Sequence, residues 1–170
     1  MFRRSKKKEE PPSETAEAQQ VLQRILEGMG VEATIESFNR DDRLVLNAVC
    51  TPDDSMVIGR RGKTLEAIQF LVNRIVHRNN DEAKPILVDV SGYRERRRRN
   101  LIDLARRSAE RVKETGYQVI VGPYNAYERH ILHSSITEDP VVTTESLGEG
   151  DQKKVVFKKT IPENQSEDRD

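Results

Sequence analysis

The chain has one cysteine, no long apolar run and no surplus of charge. Each shortage removes a class of protein. A lone Cys50 forms no internal disulfide and cannot build a thiolate-cluster zinc site. It sits in an apolar, strand-like run and is expected to be a small buried side chain. No apolar stretch approaches the length that crosses a bilayer. The basic residues near Met1 are not followed by the apolar stretch of a secretory signal. A cytoplasmic protein without membrane contact is therefore expected. Lys plus Arg and Asp plus Glu each number 29, so bulk charge argues neither for nor against a polyanionic partner, and distribution must decide. The apolar fraction of 35% is low and the charged fraction of 34% is high for one large core. Over 170 residues this favours two small domains with solvated tails. No metal cluster and no nucleophile paired with a base is in view, so neither an enzyme nor a cofactor is expected.

What is present centres on Met56-Val57-Ile58-Gly59-Arg60-Arg61-Gly62-Lys63-Thr64 and the helix it opens. Glycines let a backbone turn tightly and lie close to a ligand. A helix N-terminus just after them offers N–H groups and the positive end of a dipole. Arg60, Arg61 and Lys63 add charge at the same place. Together these suit a phosphate backbone. Gly62-Lys63-Thr64 ends like the phosphate loop of a nucleotide hydrolase, but that motif needs glycine at position 57, where Val57 stands. The remaining readings are a G-x-x-G clamp on single-stranded nucleic acid and a plain tight turn ahead of an amphipathic helix. The order of elements around the loop discriminates between them.

Residues 1–15 are charged and proline-punctuated and read as a disordered tail. Thr15 is a possible cap for a helix with Val21, Leu22, Ile25, Leu26 and Met29 on one side, stopped by Gly28 and Gly30. Val31–Phe38 and Leu44–Cys50 read as a hairpin joined at Asn39–Asp42. A short helical turn from Thr51 delivers the glycine loop. Leu65, Ile68, Leu71, Val72, Ile75 and Val76 mark the helix over 64–78, broken at Asn79-Asn80-Asp81. Pro85–Val90 is a third strand, expected to be central because it is mostly apolar.

This order resembles a type II KH domain (αββααβ), spanning residues 16–90. The resemblance implies a groove for four bases, walled by the loop and its helix on one side and a strand edge on the other. It places Gly59 and Gly62 against the phosphates, with Arg60, Arg61 and Lys63 meeting them electrostatically. Ile58, Leu65 and Ile68 would be apolar floor or plain core.

From Ser91, a good cap, a long helix is expected, with Leu101, Leu104, Ala105, Ser108, Ala109 and Val112 as its buried stripe and Gly116 as its stop. Residues 91–113 hold nine basic residues and three acidic ones. A charge run is usually a solvated face, but here acidic partners are too few for i,i+4 pairing. A phosphate-contacting surface is inferred, with Arg97 and Arg98 among its candidates. Tyr117–Val121 then reads as a strand, with Pro123 as a first helical residue. Tyr124, Tyr127, Ile131 and Leu132 form one arc of the following helix. Arg129 and His133, four apart, are expected to be exposed together. Val141–Glu145 and Lys153–Lys158 read as two strands, and 161–170 as a disordered acidic tail.

Arg129-x-x-x-His133, preceded by Gly-Pro-Tyr and followed by Thr144-x-Ser146-x-Gly148 and an apolar-basic strand, resembles the R3H domain. That resemblance covers 91–160, including the basic lead-in helix 91–113, and implies single-stranded nucleic-acid binding through Arg129 and His133. Lys153 and Lys154 stand where an arginine is expected. A KH domain followed by R3H resembles the bacterial Jag family, also called KhpB or SpoIIIJ-associated proteins. Its separate N-terminal Jag domain is expected to be missing here. The family implies a cytoplasmic RNA-binding protein, a small single-KH protein as heterodimer partner, and a link to cell envelope growth and division.

The whole is read as α+β: a type II KH domain, a long basic helix and a small R3H domain binding single-stranded RNA. A single-stranded DNA binder, and a protein-interaction scaffold pairing through its KH surface, remain as alternatives.

Overall fold

The computed structural model describes residues 14–41, 43–78 and 83–160. The chain divides into two compact units at Arg94 and Glu95. The tails expected over 1–15 and 161–170 lie outside the described residues, except that Glu14 and Thr15 already belong to the first helix. The helix breaker at 79–81 and Asp42 of the hairpin turn also lie outside them.

The first unit runs α1 (Glu14–Gly28), β1 (Glu32–Arg40), β2 (Arg43–Thr51), α2 (Ser55–Ile58), a 3-10 turn (Arg60–Gly62), α3 (Lys63–Val76) and β3 (Leu87–Val90). Its sheet has the order β1-β2-β3, with β1 antiparallel and β3 parallel to β2. Four-residue spacing puts Ala18, Leu22 and Leu26 on one face of α1, and all three are buried. Leu65, Ile68 and Val72 of α3 meet them over Leu46, Ala48 and Val88. Burying each large apolar side chain contributes about 1.5–3 kcal/mol. Cys50 belongs to this core, and burial, then Asp54, pushes its thiol pKa up. Leu71 and Ile75, which share the apolar run of α3, remain exposed on its other side.

β3 is an edge strand, not the central one its apolar character suggested. Side chains take the place of a fourth strand. Asn73 Nδ2 donates to the Ile86 carbonyl at 2.8 Å, and Asn73 Oδ1 accepts the Ile86 N–H at 2.7 Å. Two residues on, Gln69 Oε1 accepts the Val88 N–H at 3.0 Å, and Arg94 Nε donates to the Val88 carbonyl at 3.0 Å. A strand whose outer edge is satisfied in this way can be as apolar as a central one.

The second unit holds α4 (Tyr93–Thr115) apart from its first two residues, then β4 (Val119–Tyr124), α5 (Ala126–Ser134), β5 (Val142–Leu147) and β6 (Lys153–Lys159). Its antiparallel sheet has the order β4-β6-β5. α4 starts two residues after Ser91, where Asp89 Oδ1 accepts the Arg94 N–H. Leu101, Ala105, Ser108, Ala109 and Val112 are buried along it, while Leu104 is half-buried. The helix stops before Gly116, which has φ +74°. Phe157, Val155 and Leu132 complete the core.

The start of α5 differs from the sequence expectation. β4 continues through Gly122-Pro123 to Tyr124, and Asn125 caps the helix. The Asn125 side chain accepts the Glu128 N–H at 2.9 Å, and the Glu128 carboxylate accepts the Asn125 N–H, a reciprocal capping box. Tyr124 is thus a buried strand residue, whereas Tyr127 is 66% exposed. No helix among the described residues is long and apolar enough to cross a membrane.

Candidate nucleic-acid interface

The glycine loop is built by α2, which ends as the Gly59 N–H donates to the Ser55 carbonyl at 2.7 Å. The Asp53 carboxylate accepts from both the backbone and the hydroxyl of Ser55 and so fixes the approach. Gly59 lies at φ +68°, and a Cβ there would sit 2.0 Å from Thr64 Oγ1. Arg61 and Gly62 follow at φ +59° and +81°. Tyr93 backs the turn, and a Cβ on Gly62 would come within 3.0 Å of its ring. The turn is therefore packed closely against Thr64 and Tyr93, and Gly62 is buried. Arg60, Arg61 and Lys63 all point from it as exposed side chains. They stand at the positive end of the 14-residue α3. Leu65 and Ile68 are core, and Ile58 is half-buried.

A groove of about 380 Å³ runs beside α3, lined by Glu66, Gln69, Phe70, Asn73 and Arg74 and closed by Pro85. Its far side is the segment leading into β3, at Ala83 and Pro85. Asn73 and Gln69, which bond Ile86 and Val88, also line the groove, so a ligand there meets their amide side chains. Phe70, 65% exposed, offers a ring at the rim.

In the second unit, Arg129 and His133 sit on one face of α5, half-buried rather than fully exposed. Each is anchored by parts of the chain that the sequence expectation did not connect. Arg129 Nη1 donates to the carbonyls of Tyr124 and Asp151, each at 2.9 Å. It thus joins the end of β4 to the turn between β5 and β6. His133 Nδ1 pairs with Thr144 Oγ1, and Nε2 with Ser146 Oγ at 3.1 Å. Thr144 and Ser146 are the polar members of Thr-x-Ser; alternation along β5 puts both on the face towards the helix. Hydroxyls accept or donate, so they suit both the neutral and the protonated ring. Burial, then the charges of Arg129 and His130, hold the His133 pKa below the ordinary imidazole value.

The basic helix divides its arginines between two jobs. Arg97 turns inward: its Nε donates to Glu128 Oε1 at 2.8 Å, and Nη2 lies 2.7 Å from the same oxygen. Its guanidinium also stands 5.9 Å from the Tyr124 ring centre. Glu128 is one of two buried polar side chains among the described residues, and Arg97 neutralises it. Arg98 is exposed, with Glu95 at 3.9 Å. The Asn125-x-x-Glu128 spacing was the readable signal for this arrangement.

Comparison with known proteins places this geometry. The profile described as "KhpA/KhpB, KH domain" matches residues 16–87, and the R3H domain profile matches residues 99–159. The chain is similar to the RNA-binding protein KhpB of Clostridium symbiosum, 33% identical over 75% of this chain and 58% of that protein. It is similar to the RNA-binding protein KhpB of Lactiplantibacillus plantarum, 30% identical over 78% of this chain and 41% of that protein. With the RNA-binding protein KhpB of Bacillus subtilis the identity is 27%, over 83% of this chain and 68% of that protein. The chain thus spans about half the length of the curated relatives it matches.

Proposed function

The chain belongs to the KhpB, or Jag, family of KH–R3H proteins, and from that premise we propose that it is a two-module binder of single-stranded RNA. The glycine loop carries the reading. Its backbone is held at positive φ where no Cβ fits, and three exposed cations surround it at the head of a helix. This arrangement suits close approach by a phosphate chain. In the second module, Arg129 offers a planar fork for phosphate oxygens, and His133 stands beside it on the same face. Both side chains are preoriented by their hydrogen bonds, which lowers the entropic cost of engaging a ligand. Arg97 is assigned to holding Glu128; Arg98 stays with the strand-binding surface. The cellular role we infer is cytoplasmic post-transcriptional regulation linked to envelope growth and division, which rests on the family resemblance.

The test is fluorescence anisotropy with matched single-stranded RNA, single-stranded DNA and duplex DNA. Wild type, the double variant Arg60→Asp/Arg61→Asp and Arg129→Ala are compared. RNA preference with weakened binding in both variants is the expected result. The loop charges are exposed, so the double variant is expected to keep its fold. A folded double variant with unchanged affinity would remove the loop as the site. Equal affinity for RNA and DNA would indicate that no 2′-hydroxyl is read.

A second reading has its own observation. Leu71 and Ile75 form an exposed apolar stripe on α3, with Phe70 exposed about 100° around the helix. Such a stripe suits a protein partner, and the small single-KH protein implied by the family is the partner we infer. Heterodimer formation lost in Leu71→Asp, with RNA affinity retained, would separate this role from strand binding.

A further inference from the structure

α4 and α5 of the second unit enclose another groove, of about 440 Å³, lined by Arg98, Ile102 and Arg106 from α4 and by Tyr127, His130 and Ser134 from α5. It is distinct from the Arg129/His133 face. At 100° per residue, Tyr127, His130 and Ser134 fall on one stripe of α5, while Arg129 and His133 centre roughly 110° around the helix. The volume lies within the range of small-molecule pockets, and no acidic side chain lines it.

Its parts fit one kind of ligand. Tyr127 presents an aromatic ring that is 66% exposed. A lone exposed ring needs no explanation, but this one opens onto a concave site flanked by two arginines. Ile102 is half-buried and gives the site an apolar floor. Arg98 and Arg106 are both exposed and stand eight residues apart on α4. That is about 12 Å along the helix axis, a distance an extended strand covers in a couple of nucleotide steps. Among the described residues, Arg98 has only a distant contact with Glu95, at 3.9 Å from an oxygen that Arg99 holds at 3.0 Å. The nearby buried acid, Glu128, is already neutralised by Arg97. The positive charge in the groove is therefore available to an anion. His130 and Ser134, both exposed, add polar side chains to the lining.

We propose that this groove is a second single-stranded RNA subsite, with one base stacked on Tyr127 and its flanking phosphates held by Arg98 and Arg106. The proposal rests on the RNA-binding reading above and extends it to residues outside the Arg-x-x-x-His motif. Aromatic stacking and guanidinium–phosphate pairing are the two interactions by which proteins hold single strands with little sequence preference.

The test uses the full chain and a single-stranded uridine oligomer. Ultraviolet crosslinking of the wild-type complex, followed by peptide mass spectrometry, is expected to place a nucleotide on the peptide containing Tyr127. Tyr127→Ala is expected to weaken binding about 5- to 150-fold, the range of one lost base stack. Tyr127→Phe, which keeps the ring, is expected to bind like wild type. Arg106→Glu is expected to weaken binding and flatten its salt dependence. Thermal melts confirm that the variants fold, and the crosslink, made on wild type, does not depend on them. The proposal is overturned if the oligomer binds and responds to Arg60→Asp/Arg61→Asp, yet Tyr127→Ala and Arg106→Glu bind like wild type and no crosslink falls on α4 or α5. That result leaves the RNA-binding reading intact. It is also overturned if Tyr127→Phe loses as much as Tyr127→Ala, since stacking would then play no part. If wild type binds no RNA, both readings fall together.

Discussion

Gly59 and Gly28 show how differently two glycines depend on their surroundings. Gly28 ends α1 with nothing within 4 Å of a built Cβ, while Gly59 has φ +68° and a Cβ that would overlap Thr64. Gly59→Ala is expected to cost about 1–3 kcal/mol, the range for strained backbone. Gly28→Ala is expected to be neutral or to stabilise by about 0.4–1 kcal/mol through the unfolded chain. Urea unfolding of the two variants checks the contrast; equal effects would mean the loop relaxes around an added Cβ. At His133 the relevant quantity is a proton. Burial, then Arg129, then His130, lowers its folded pKa below the unfolded value of about 6.5. Its neutral form is the native one, so its contribution to stability is complete above about pH 6.5. That contribution is lost as pH falls from there through the folded pKa. Melting curves across this range are expected to fall more steeply with acid for wild type than for His133→Asn. Phosphates near the ring favour the cation, so NMR titration is expected to show the His133 pKa rising when RNA is bound.

Among the elements, α4 carries the sharpest division. Arg97 and Arg98 are neighbours in a run that the sequence presents as uniform, yet one faces Glu128 and the other faces solvent. Arg97→Ala leaves a buried carboxylate and the cap of α5 without their cation. It is expected to destabilise the second unit by about 1–3 kcal/mol. Arg98→Ala is expected to stay within about 0.5 kcal/mol, as exposed substitutions do, while weakening RNA. Chemical denaturation and anisotropy on the same pair of variants separate the two roles. If both variants lose affinity and neither loses stability, the inward pairing of Arg97 does not persist in solution. β3 illustrates a different limit of reading by element. Its apolar run correctly announced a strand, but edge and centre look alike when Asn73 and Gln69 complete the hydrogen bonding from a neighbouring helix.

For the molecule as a whole, zero net charge conceals a strong local imbalance. Cations gather at the glycine loop and along α4, so an interface led by phosphate contacts is expected in spite of the overall balance. Affinity for single-stranded RNA is expected to fall linearly with the logarithm of salt, with a slope that shrinks by about 0.7 for each phosphate contact removed. Arg60→Asp/Arg61→Asp should therefore flatten the slope by at least about 1.4. A salt titration that is flat for wild type would rule out a phosphate-led interface. Because two linked sites bind with raised effective concentration, combining the loop variant with Arg129→Ala is expected to weaken binding further than either alone.

Much of this protein was legible in the chain itself. The αββααβ order, the glycine loop and the α4 stripe from Leu101 to Val112 follow from period and punctuation, which are local properties of a backbone. Val57 argues against a nucleotide-binding loop, because that chemistry depends on a residue at a fixed spacing. Tertiary structure decided what each polar side chain does. Asn73 and Gln69 close the β3 edge, Thr144 and Ser146 hold His133, and Arg97 meets Glu128 31 residues away. Tyr127 was expected in the apolar arc and is exposed instead, because Asn125 caps the helix and leaves Tyr124 in the strand. Periodicity reports which side of an element is apolar. The partner of a buried charge or an amide is chosen only when distant segments come together, since the cost of leaving such groups unpaired arises only once they leave water.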